Sequence, residues 1–175
     1  MKKALLLYSS TDGQTIKICN FIAEQMEGFE CEISDLHTIE EADFVGFDKV
    51  LIGASIRYGH LSKHFYRFVT KNKTKLEEIN AAFFLVNLTA RKEDQGKDTP
   101  EGSAYVKTFK KKSPWQPSKI GVFAGALRYP QYKLFDRICI QLIMKITGGE
   151  TDPTKEIEYT NWEKVTKFAH SFKEM

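Results

Sequence analysis

At 175 residues, with 42% hydrophobic and 28% charged residues, the chain has the composition of a globular protein with one sizeable core, which excludes a disordered or fibrous polymer. A net charge of +3 is too small to argue for nucleic acid as a partner, and the three cysteines (Cys19, Cys31, Cys139) lack any C-x-x-C pair and read as reduced thiols. No apolar run reaches the roughly 18–20 residues that span a bilayer, and the sequence opens straight into a strand pattern, so an intracellular protein without a signal peptide is expected.

Residues 4–8, Ala-Leu-Leu-Leu-Tyr, are an uncharged run suited to a strand buried on both faces of a parallel sheet. The run breaks into the hydroxyl-rich loop Ser9, Ser10, Thr11, Asp12, Gly13, Gln14, Thr15. Ile16, Cys19, Ile22, Ala23 and Met26 then fall on one side of an amphipathic helix. Strand, polar turn and helix N-terminus together aim backbone N–H groups at an anion. Here Ser10, Thr11 and Thr15 add hydroxyl donors and no lysine or arginine, which suits a phosphate monoester. Neither G-x-x-x-x-G-K-S/T nor G-x-G-x-x-G is present, so the two best-known phosphate loops are excluded.

Further along, 31–35 reads as a second strand, and Thr38-Ile-Glu-Glu as a capping box that opens a short helix. Residues 49–54 are another buried strand, ending at Ser55, Ile56, Arg57, Tyr58 and Gly59; Leu61, Phe65, Phe68 and Val69 mark a helix over 62–72. Residues 81–86 end at Asn87, Leu88, Thr89, Ala90 and Arg91, and 120–124 end at Gly125, Ala126, Leu127, Arg128 and Tyr129. Strands alternating with helices indicate an α/β fold with a parallel sheet, whose ligands bind at the carboxyl ends of the strands. Arg57, Arg91 and Arg128 each follow such an end, where a guanidinium is well shaped to meet a carboxylate.

Two segments exceed a minimal plan of one domain over 1–175. Residues 92–117 carry Gly96, Pro100, Gly102, the basic run 110–112, Pro114 and Pro117, with at most a short helix around 103–112, and suggest a functional insertion. Residues 130–152 contain an apolar stripe of Leu134, Phe135, Ile138, Cys139, Leu142, Ile143 and Ile146. That stripe fits either the last sheet-packing helix or an interfacial helix. Trp162, Val165, Phe168, Ala169 and Phe172 fit the closing position equally well, so one helix is spare. His60 and His64 are too few for a zinc site, and no metal is expected.

The run Leu6-Leu7-Tyr8-x-Ser10-x-x-Gly13-x-Thr15 resembles the flavodoxin phosphate loop, with Cys19 where that family usually carries alanine. Adding Gly53-Ala-Ser-Ile-Arg-Tyr-Gly-His60, Asn87-Leu-Thr-Ala-Arg-Lys92, Ala124-Gly-Ala-Leu-Arg-Tyr-Pro130 and Leu142-Ile-Met-Lys-x-x-Gly-Gly-Glu-Thr-Asp152, the chain resembles the bacterial menaquinone-dependent protoporphyrinogen oxidases of haem synthesis. The resemblance runs nearly end to end, with departures mainly between Glu93 and Lys119. It implies a flavodoxin-like three-layer sandwich around a central five-stranded parallel sheet, an FMN cofactor, protoporphyrinogen IX as substrate and menaquinone or ubiquinone as acceptor. It also implies peripheral attachment to the cytoplasmic face of the bacterial inner membrane.

Carried over by position, Ser10, Thr11, Asp12, Gly13, Gln14 and Thr15 would hold the phosphate; Ser55, Ile56, Arg57 and Tyr58 would border the isoalloxazine. Asn87, Leu88, Thr89, Ala90 and Arg91 would flank its other side, Gly125 and Ala126 would close the pocket, and Arg57, Arg91 and Arg128 would meet the substrate's propionates. Three rivals are a flavodoxin-type electron carrier, an FMN-dependent quinone reductase and a binding module that has lost FMN. The first is usually strongly acidic, unlike this chain.

Overall fold

A computed structural model describes residues 1–175. The uncharged runs become the middle of one parallel sheet: β1 (Lys2–Ser9), β2 (Phe29–Asp35), β3 (Lys49–Ser55), β4 (Asn80–Asn87) and β5 (Lys119–Ala124), ordered β2-β1-β3-β4-β5. β3 and β4 are interior and covered on both faces, which is why their sequences carry almost no polar side chain. β2 lies at an edge and alternates exposed with partly buried residues.

Each face carries its own helices. On one, Ile18, Cys19 and Ile22 of α1 (Gln14–Gln25) and Val165, Ala169 and Phe172 of α6 (Trp162–Lys173) pack on Leu6, Leu51 and Phe84. On the other, α2 (Lys63–Lys71), α3 (Lys73–Glu78) and α4 (Ala104–Lys112) pack on Leu7, Ile52 and Phe83. This is the three-layer α/β sandwich. The segment 92–117 supplies the β4–β5 crossover: Val106 and Phe109 of α4, with Trp115 behind them, are fully buried in that core.

The spare helix is α5 (Leu134–Ile146). The closing position belongs to α6, and α5 packs on neither face of the sheet. Of its residues only Met144 is buried; it joins Leu127, Tyr129 and Tyr132 in a small separate cluster. An antiparallel ribbon of β6 (Ala126–Arg128) and β7 (Glu156–Glu158) closes the neck of this excursion.

The capping box expected at Thr38 does not form. Asp35 takes the capping role instead, accepting from the His37 N–H at 2.8 Å, while the Thr38 hydroxyl donates back to the Asp35 carbonyl at 2.8 Å. Only a single 3-10 turn, Leu36–Thr38, results.

The Tyr129 cluster has a pH signature. Tyr129 is fully buried and its hydroxyl donates to the Glu150 carbonyl at 2.6 Å. Burial, with Tyr132, Tyr159 and Glu150 close by, pushes its pKa up to about 12. In the unfolded chain tyrosine ionises near its ordinary value of about 10, so the unfolded state loses the proton first. Stability should be intact below about pH 10 and fall as the pH rises toward 12, by roughly 2–3 kcal/mol from this group. Thermal melts across that window check it, and Tyr129→Phe should flatten the decline.

Candidate active site

The strand ends, the first turn of α1 and the inner side of α5 surround a cleft. Its floor is the loop after β1. Gly13 caps α1 at φ 85°, in the left-handed region that glycine enters without cost, and no side chain caps the helix. The first N–H groups of α1 therefore stay available, as the positive end of a helix requires for an anion. Ser10 accepts from the Gly13 N–H at 3.1 Å, which holds the turn and leaves the Ser10 hydroxyl proton free. Thr15 is 1% exposed and its Oγ1 has no partner. A buried hydroxyl left unpaired costs about 1–3 kcal/mol, so a ligand that accepts from it recovers that loss.

Two further donors and acceptors fix the walls. At the end of β4, Asn87 Oδ1 accepts from the Thr89 hydroxyl at 2.6 Å and from the Ala90 N–H at 2.9 Å. Its Nδ2 is buried and unpartnered. After β3, Arg57 and His60 exchange backbone hydrogen bonds at 3.0 Å around Tyr58 (φ 49°) and Gly59 (φ 81°). Two positive φ values mark a tight hairpin turn that normally selects asparagine or glycine. A tyrosine there is held in strained backbone, and its half-exposed ring stands at the cleft mouth.

The roof is α5. Asp136, Cys139, Ile140 and Ile143 line the cleft. Asp136 is pinned by Arg57 Nη2 at 2.7 Å and by the Tyr58 hydroxyl. Burial works against the Arg57 charge, but Asp12, Tyr58 and Asp136 outweigh it and raise its pKa. The far end of α5 is held by Arg91, which donates to the Thr147 hydroxyl at 2.9 Å and carbonyl at 3.2 Å.

Most residues expected at the cofactor meet here: Ser10, Thr11, Asp12, Gln14 and Thr15 below, Ser55 to Tyr58 and Asn87 to Thr89 at the sides, with Gly125 and Ala126. Gly13 shapes the turn without lining the cleft, and Ala90 and Arg91 lie behind it. The expected rim of three free arginines is not what the fold builds. Arg57 lines the cleft but is paired with Asp12 at 3.3 Å and with Asp136. Arg91 holds the Leu88 carbonyl at 2.9 Å and Thr147. Arg128 spans the Asp12 carbonyl at 2.9 Å and Gln14 Oε1 at 2.8 Å. Arg91 and Arg128 act as braces for loops, each tying a backbone carbonyl to a second acceptor.

The site also includes Gly59, Tyr105, Tyr132 and the four residues of α5, which sequence reading did not place there. The one available signal was Asp136, an acid inside an apolar stripe. His64, weighed for a metal, instead packs against His37 with tilted rings whose centroids are 4.9 Å apart.

A neutral cradle at a helix N-terminus, below a flat slot at the carboxyl ends of β1, β3 and β4, can take a phosphate monoester carrying a planar ring. The flavodoxin domain family matches residues 5–154, and the chain belongs to that family. Among its relatives, an Escherichia coli K12 protein named protoporphyrinogen IX dehydrogenase (quinone) is 46% identical over 169 residues, 95% of this chain and 92% of the relative. A Leishmania major protein of the same name is 48% identical over 173 residues, 97% of this chain and 74% of the relative. In fold, the flavodoxin of Streptococcus pneumoniae superposes with a TM-score of 0.51 at 13% identity, covering 97% of both chains.

Proposed function

We propose that this chain is an FMN-dependent protoporphyrinogen IX dehydrogenase that passes electrons to a membrane quinone, menaquinone or ubiquinone. The observation that carries the reading is the pair of buried, unpartnered donors, Thr15 Oγ1 and Asn87 Nδ2, in one cleft of a chain so closely related to proteins of that name. Those donors fit FMN. Ser10, Thr11, Thr15 and the first N–H groups of α1 would hold its phosphate; Ser55 to Tyr58, Asn87 to Thr89, Gly125 and Ala126 would border its ring.

When bound, the flavin supplies the site that accepts hydride equivalents from a carbon skeleton. The chain's own residues do the rest. Asn87, fixed through Oδ1, would offer Nδ2 to an acceptor on the ring. Ile140 and Ile143 of α5 exclude water from above, and the Arg57–Asp136 pair keeps that roof in place. Porphyrinogen oxidation proceeds by successive two-electron steps, so an acceptor must be met repeatedly, which a membrane quinone provides.

Attachment to the cytoplasmic face of the bacterial inner membrane belongs to the same reading. No helix is long and apolar enough to cross a membrane. The outer side of α5, however, exposes Leu134, Phe135, Ile138, Leu142 and Ile146, with Lys133 and Lys145 exposed at its ends. A helix of this kind lies in the lipid interface. Burying one such side chain is worth about 1.5–3 kcal/mol, so Phe135→Ser with Leu142→Ser should weaken vesicle binding by about a hundredfold or more. The two are 70% and 58% exposed, so the melting temperature should hardly move. Flotation with anionic vesicles checks this; retained binding with a large drop in melting temperature would reassign α5 to structural packing.

The activity is tested by stopped-flow reduction of the FMN-loaded protein without oxygen. Protoporphyrinogen IX should bleach the flavin, and a soluble menaquinone analogue should restore it. Bleaching by a nicotinamide alone would make the protein a quinone reductase; bleaching only by a reductase protein would make it an electron carrier.

A further inference from the structure

A second cleft lies between the start of α2 and the end of α4, and shares Ile56, Gly59 and Tyr105 as a common wall with the first. We propose that this cleft is an anion subsite that seats the carboxylate tails of the substrate while its ring system lies over the flavin at the mouth of the first cleft, with Lys63 and Lys112 as the binding cations. The proposal rests on the dehydrogenase reading and names the residues that recognise the acid groups of that substrate.

Lys63 and Lys112 face this cleft from opposite elements, and no aspartate or glutamate lines it. Neither lysine has a carboxylate partner, as is also true of Lys107, Lys110 and Lys111 on α4; what sets Lys63 and Lys112 apart is that both line this cleft. Both are exposed, so an anion entering the cleft would meet two cations and no competing carboxylate. Lys63 is also misplaced for its own helix. It occupies the first position of α2, at the positive end of the helix dipole, with no acidic residue in the first turn. Ser62 already caps α2, accepting from the Phe65 N–H at 3.0 Å, so the lysine has no local structural duty. The tyrosines at 66 and 105, whose hydroxyls make no hydrogen bond within the chain, add neutral donors. The arginines at the strand ends already hold Asp12, Asp136, Thr147 and Gln14 within the chain, whereas the two lysines hold nothing.

The test is a fluorescence titration of the FMN-loaded protein with protoporphyrin IX and with its dimethyl ester, which keeps the ring and removes both charges. The wild-type protein should bind the diacid more tightly than the diester. Lys63→Gln with Lys112→Gln should weaken the diacid by roughly two- to thirty-fold and leave the diester unchanged. Lys107→Gln with Lys111→Gln removes the same charge from α4 outside the cleft, and should change neither. The proposal is overturned if the wild type does not prefer the diacid, if the first pair leaves that preference intact, or if the second pair lowers it equally. The titration involves no electron transfer, so flavin that protoporphyrinogen IX fails to reduce would remove the dehydrogenase reading without touching this comparison.

Discussion

A Thr15→Val protein is expected to be more stable without cofactor than the wild type, yet to bind FMN about ten- to a hundredfold more weakly. Valine keeps the branched shape and similar helix propensity, so the packing under α1 is preserved. What disappears is a hydroxyl that is 1% exposed and unpartnered. Relieving that penalty stabilises the apoprotein by about 1 kcal/mol, whereas losing a charge-assisted bond to phosphate costs about 1.5–3 kcal/mol. The opposite signs separate a ligand-binding role from a structural one. Urea denaturation of the apoprotein gives the first, and fluorescence quenching by FMN and by riboflavin gives the second. Riboflavin, lacking the phosphate, should be indifferent; an equal loss for both flavins would move the phosphate elsewhere, and a destabilised apoprotein would mean that Thr15 has a partner within the fold.

In the core, Phe84→Ala should lower apoprotein stability by about 3–5 kcal/mol. The Phe84 ring is fully buried, with ring centroids of Phe123 at 5.6 Å and Phe168 at 6.4 Å. It lies across Gly53, its register partner in β3, and a side chain at position 53 would drive into it. Gly53→Ala should therefore cost about 1–3 kcal/mol by overpacking, since Phe123 and Phe168 leave the ring nowhere to go. The two changes should couple: the new methyl enters the space that Phe84→Ala vacates. The double variant should be less destabilised than the sum of the singles by more than about 0.5 kcal/mol. Simple additivity would show that Phe84 can swing aside.

The interior of the sheet was legible because strands covered on both faces cannot carry polar side chains; β3 and β4 announce themselves for that reason. The loop after β1 was legible because Ser10 and Gly13 each have a local duty, one accepting from the Gly13 N–H and the other making the left-handed turn that opens α1. The roof was not. The stripe on α5 gives the period of a half-buried helix, but a period does not say what the face meets. The assignment was decided when α6 took the sheet. Asp136 reaches Arg57 across 79 positions of sequence, and Arg91 and Arg128 reach backbone carbonyls placed only by the final loop shapes. β6 and β7 are three residues each, too short for alternation to register, and α3 buries only Leu76.

The neck formed by β6 and β7 has an evolutionary consequence. The chain departs at Arg128 and returns at Glu156, and these two residues face each other across the ribbon. Whatever lies between them begins and ends at one spot, so its length sets nothing in the register of the five-stranded sheet. Lengthening such a loop costs closure entropy only logarithmically. Leu127, Tyr129, Tyr132 and Met144 give the excursion a miniature core of its own. Selection can therefore recoat or resize the outer side of α5, and so change what that helix meets, while the cradle from Ser10 to Thr15 stays as it is.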